Sequence, residues 1–248
     1  MSQPATPPKI TAEGKRHPSS QNESRWRKLL RILGYFVLSS IVLTLLEIGV
    51  GYWLLSSRWE IHVPEDKMEV FAKDILAAEP LPENFRAVYT ALFPRHVNAT
   101  MSEQVFLNYG ARILFRNQHI DARPHCFCDL VYDLQLKKNK GLASIPWPGR
   151  LQDLEYGFGM ERFAPPNKCF DYVIRERVAG LQKVLDSKRF GHVINKRLED
   201  MNDDEIVELI LLIKSKNQFN RYKNPSMFAK AFEYYKGKLA EARANGKT

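Results

Sequence analysis

The sequence predicts a mainly α-helical protein carried behind one N-terminal membrane span. Three observations lead there. Residues 32–57, "ILGYFVLSSIVLTLLEIGVGYWLLSS", form 26 residues with a single charge, Glu47. The last third of the chain shows apolar side chains at helical spacing, opened by helix-capping residues. No run of strictly alternating residues points to a large sheet, and no internal repeat is visible.

Taken in order, residues 1–24 are rich in Pro, Ser, Thr and Gln, a composition that buries too little apolar surface to order itself. They belong to a basic cytoplasmic tail, residues 1–31, with seven Lys or Arg against two Glu. About 20 apolar residues cross a bilayer, so 32–57 is long enough to span with tilt. Trp26 precedes the run, and Tyr52 and Trp53 stand near its far end, where amphipathic rings favour the interface. A cleaved signal peptide would have a shorter apolar core and a prompt small-residue cleavage site.

The opposite flank, Arg58 to Glu83, has three bases and seven acids. Basic flanks stay inside, so the N-terminus is expected in the cytoplasm and residues 59–248 outside the plasma (inner) membrane. Glu47 is costly in lipid, so it meets a partner helix, or is protonated or near enough to the outer face to reach water.

The net charge of +9 invites a nucleic-acid reading. More than half of it sits in the cytoplasmic tail, and no RNP, helix-turn-helix or zinc-finger spacing accompanies the rest. Nucleic acid is not expected as a partner; the membrane is.

Beyond the span, residues 58–80 read as a juxtamembrane stem and 81–248 as the folded domain. "FRAVYTALF" (85–93) has helical spacing. Residues 116–169 carry "RPHCFC", "SIPWPGR" and "FAPPNKC", whose Pro and Gly predict mostly loop with short elements. Ile174, Val178, Leu181 and Leu185 share one helix face. "NDDE" offers Asn202 as N-cap with Glu205 three residues on, the pattern of a capping box ahead of "IVELILLI". Asn224-Pro225 opens a last helix striped by Phe228, Phe232, Tyr235 and Leu239.

Cys126 and Cys128 are too close to bridge each other easily, but either suits Cys169, leaving one thiol over. "HCFC" lacks the second half of a metal site, so no metal is expected there. His96, His119 and His125 lack ligand spacing and read as surface or capping residues. Glu103, Asp129, Asp133, Asp153, Glu155 and Glu161 are the carboxylates available for a glycosidase-like pair, and spacing selects none. Trp147, between prolines, suits a packed turn or a ring stacked on sugar.

Two segments carry a resemblance. "ATMSEQVFLN" (99–108) is similar to a Ser-Thr-Ile-Thr-Gln-Gln-Leu-x-Lys-Asn motif, with Thr100, Gln104 and Asn108 identical. "EIVELILLIKSKNQFNRYKNP" (205–225) is similar to a closing run that starts on an acid at the head of an apolar helix. It ends in Tyr-Asn-Pro and Asn-Pro, with Phe219, Asn220 and Asn224-Pro225 in register. Both motifs resemble the peptidoglycan glycosyltransferase family, the transglycosylase module of class A penicillin-binding proteins and monofunctional transglycosylases.

The resemblance implies a lysozyme-like domain and a substrate groove holding Thr100, Ser102, Glu103, Gln104 and Asn108. It also implies peptidoglycan, lipid II or cell-wall synthases as partners. No cofactor is expected, apart from a divalent cation if the domain is active. The departures imply lost polymerisation. Leu92 and Phe93 (or Phe93 and Pro94) stand where the family has its catalytic Glu-Asp, and the interval to Ala99 is far too short. Leu107 replaces the motif lysine, Lys216 and Arg221 replace prolines, and "RERVAGLQ" (175–182) is a poorly placed match to the Lys-x-x-Glu helix. Glu103 is the candidate substitute base. Three readings stay open: a degenerate binding domain, an active divergent transglycosylase, and an anchored interaction module unrelated to glycan. For the polar cluster at 100–108 itself, a plain capped helix start competes with a groove wall.

Overall fold

The computed structural model describes residues 19–62, 65–107, 125–131, 134 and 149–246. They are mainly helical, with no strand among them. The chain divides into two units, residues 1–52 and 53–248.

Helix α1, Ser19–Ser57, dominates the first unit. It begins earlier than composition suggests, because the span propagates helix backward through Glu23 and Arg25 at little cost per residue. Its stretch Lys28–Leu54 is long and apolar enough to cross a membrane, and none of it is covered by protein. Leu33, Phe36, Leu45 and Ile48 all stand more than half exposed, an apolar surface that water would not tolerate at this extent.

In the second unit α2 (Trp59–His62) and α3 (Glu65–Leu76) occupy the expected stem. That segment is part of the folded domain: Trp59, Met68, Phe71 and Ile75 are buried in its core. Helix α4 (Glu83–Leu92) matches the predicted one and buries Phe85, Val88, Tyr89 and Leu92. The short α5 (Met101–Val105) follows.

Helices then run where loop was expected. Helix α6, Gly149–Phe163, contains Gly157 and Gly159. These glycines are spacers rather than breakers. A Cβ on Gly157 would sit 2.7 Å from Met101 Sδ, and one on Gly159 2.7 Å from Trp59 Cδ2. Helix α7, Pro166–Val184, starts with proline at its first position, where the missing N–H costs nothing. The prolines of "FAPPNKC" thus divide two helices.

Helix α8 (Ser187–Ile194) is capped by Asp186, whose carboxylate accepts from Lys188 N at 2.9 Å. A single 3₁₀ turn, Leu198–Asp200, leads to α9, Asp203–Ser215. The capping box at Asn202 and Glu205 is formed as the sequence predicts. From Ile206 to Leu212 every side chain of α9 is buried, so it is the central helix of the domain. Helix α10, Pro225–Ala244, packs on α4 and α9 through Phe228, Tyr235 and Leu239. Elsewhere α8 lies on α9, α3 on α6 and α7, and α2 and α5 on α6.

Candidate functional site

The opening segment is built as a helix start. Thr100 Oγ1 accepts from Glu103 N at 3.1 Å, while Glu103 Oε2 accepts from Thr100 N at 3.0 Å. This reciprocal pair satisfies two amides that the first turn leaves without helical partners. A third, Met101 N, donates to Glu161 Oε2 at 3.2 Å. Glu161 comes from α6, so the cap also ties α5 to that helix.

Gln104 is buried. Its Nε2 donates to Asp129 Oδ2 at 2.7 Å, and its Oε1 accepts from Cys126 N. It pins the segment carrying the cysteines against α5. Ser102 is half-buried and Phe106 exposed. Asn108 lies outside the described residues, as do His119, Asp133 and Trp147 and the side chain of Asp153. Of the groove residues expected from sequence, Thr100, Glu103 and Gln104 therefore come together, with their polar atoms engaged in the cap and the Cys126–Asp129 segment.

The carboxylates separate into distinct settings. Burial pushes the Glu161 carboxyl up; the Met101 amide opposes this and the nearby Glu103 charge adds to it. Glu155 is buried with Arg58 Nε 4.0 Å away. Asp129 is held by Gln104. Among the described carboxylates Glu103 and Glu161 are near enough for the charge of one to bear on the other.

Leu92 and Phe93, one of the two pairs that the sequence resemblance set against a Glu-Asp, are both buried. The Phe93 ring faces Tyr235 with centroids 5.7 Å apart, and the Lys214 ammonium lies 5.0 Å from it. No solvent-facing base is available at that point of the chain.

The closing run is equally committed. Lys196 Nζ donates to Glu205 at 2.6 Å and holds its carboxyl below the usual range. Glu208, buried in mid-α9, meets His192 Nε2 at 3.1 Å and Arg221 Nε at 3.4 Å. Asn220 is buried and its Oδ1 accepts from the Tyr222 and Lys223 amides, each at 3.0 Å. Asn224 is the N-cap residue of α10, but its side chain makes no cap bond; its Nδ2 donates to Asn217 O at 2.8 Å.

The three cysteines are buried free thiols. The Cys128 thiol is hydrogen-bonded to both Cys126 and Cys169, and these bonds, then burial, push it far up. The sequence left the partner of Cys169 open between Cys126 and Cys128; Cys128 is the thiol that touches both of the others.

Sequence reasoning placed His96 and His125 at the surface or in caps. They are instead in an aromatic cluster, ring centroids 5.8 Å apart, with His125 5.4 Å from Phe127. Burial, and then the Arg177 charge, lower His125 to about 4. Sequence reasoning also missed the buried Asp171, which pairs with Arg86 and accepts from Leu81 N at 3.2 Å. Burial pushes its carboxyl up against these partners. An isolated acid on an otherwise apolar helix face, "CFDYVI", was the available signal.

Among the described residues no group of three or more His, Cys, Asp or Glu side chains is arranged to hold a metal ion. No family model, no curated protein and no solved structure matches this chain.

Proposed function

We propose that the chain is a single-pass protein of the plasma membrane, N-terminus inside, whose periplasmic helical domain is a degenerate transglycosylase module of lysozyme-like ancestry. It works by binding glycan, a lipid-linked precursor or a cell-wall enzyme, and does not polymerise. One observation carries this reading. Leu92 and Phe93, which the resemblance sets against the family's Glu-Asp (or Phe93 and Pro94, one step on), offer no carboxylate, and both are buried. Transfer to an acceptor sugar needs a placed carboxylate and positive charge on the departing phosphates, and the first is missing at its position.

A second reading, a working divergent transglycosylase, draws on Glu103 lying beside Glu161. Burial raises the Glu161 carboxyl, and neighbouring carboxyls in unlike environments are the usual source of an acid and a base. Incubating labelled lipid II with the full-length, detergent-solubilised protein, with and without divalent cation, separates the two. The expected result is no glycan chain from protein that melts cooperatively. Chains that vanish in Glu103→Gln would establish an enzyme with a relocated base. Chains that persist in that variant would keep the enzyme and discard Glu103. Failure to retain peptidoglycan, lipid II or its synthases on the immobilised chain would leave an anchored interaction module.

A further inference from the structure

Helix α7 and the C-terminal end of α9 diverge to leave an open cleft of about 520 Å³. Leu130, Leu181, Leu212 and Ile213 line it with apolar surface. Its rim carries Arg177 and Lys216 against one acid, Glu176, while the Lys214 ammonium donates to the Tyr235 hydroxyl at 2.6 Å. Lys216 is exposed and has no ion-pair partner among the described residues. The sequence reinforces the bias: between Glu208 and Glu233 there are five Lys or Arg and no acid. A Cβ placed on Gly180, at the cleft wall, would meet nothing within 4 Å. The cleft therefore reaches the α7 backbone there.

We infer that this cleft binds an anionic amphiphile, its acyl chain over the leucine-lined wall and its carboxylate or phosphate at Arg177 and Lys216. The size and the few placed charges on an apolar lining are those of small-molecule sites. An apolar wall without basic residues would take any hydrocarbon; the cationic rim selects an anionic head. A chain with a bilayer-length apolar helix has such molecules in its immediate surroundings. Free fatty acid and anionic phospholipid share this chemistry. The cleft does not depend on the transglycosylase resemblance, so absence of lipid II binding leaves it standing.

The test is native mass spectrometry of the full-length chain in non-ionic detergent, titrated with palmitate, hexadecanol, phosphatidylglycerol or phosphatidylcholine. One saturable anionic ligand per chain is expected, with hexadecanol and phosphatidylcholine at least fivefold weaker. Gly180→Leu fills the cleft and should lower affinity at least tenfold at a melting temperature no lower than that of the wild type. Lys216→Glu reverses the rim on an exposed side chain and should lower it at least threefold. Palmitate bound without phosphatidylglycerol, or the reverse, supports the site and names its source. No saturable binding, equal binding of the neutral analogues, or wild-type affinity in a folded variant overturns it. If Gly180→Leu does not fold, Lys216→Glu decides.

Discussion

His125 is a side chain held neutral by its surroundings. In the unfolded chain it gains a proton near pH 6.5; in the folded domain it does so only near pH 4. Between these values the unfolded state binds more protons, so stability falls as pH drops through this window. The shift corresponds to about 3 kcal/mol once pH reaches the lower value. Glu161 and Asp171, both raised by burial, act with the opposite sign: folding retains their protons longer, so acid favours the folded state through them. Replacing His125 by Phe, which suits the ring cluster with Phe127, should flatten the fall. Urea midpoints measured from pH 7 to pH 4.5 check this; an unchanged slope in His125→Phe would place the acid sensitivity elsewhere.

At the scale of elements, the close approach of α6 to its neighbours is set by two missing side chains. Gly159 lets α6 meet the Trp59 ring, and Gly157 lets it meet Met101. Gly159→Ala inserts a methyl against a buried indole that cannot withdraw, so overpacking of about 1–3 kcal/mol outweighs the roughly 1 kcal/mol gain in helix propensity. Denaturant unfolding should show a net loss. At Gly237, whose Cβ would meet nothing within 4 Å, the same change should stabilise. These glycines also explain what sequence could and could not convey. Helices α4, α7 after Cys169, α9 and α10 were legible because their apolar residues repeat at helical spacing, and α9 also starts on a local cap at Asn202. Helix α6 was not, since a glycine that serves as a spacer and one that breaks a helix look alike until its neighbour is known. The same limit applies to the polar cluster at 100–104. Thr100 and Glu103 announce a capping box from spacing alone, whereas Gln104 finds Asp129 across 25 residues, a distance no local pattern encodes.

For the molecule as a whole, the buried core among the described residues lies within residues 59–242. Helix packing stabilises the second unit, while the first holds a helix long and apolar enough to cross a membrane. A chain beginning at Trp53 should remain in aqueous buffer without detergent, with a cooperative thermal transition within a few degrees of the full-length protein's. The full chain should partition into the detergent phase. Loss of the cooperative transition on truncation would mean that the span supports the domain fold.

The thiol cluster has a consequence of parity. Oxidation by a disulfide-donating partner joins two sulfurs and passes two electrons to the donor, and an odd set leaves one over. Cys128 touches both neighbours, so a bridge from it to Cys169 keeps the Cys126 sulfur close at hand as a potential attacker. Such a bridge could pass to Cys126 without any outside thiol, so an oxidised domain would have two covalent isomers open to it where the reduced one has three free thiols.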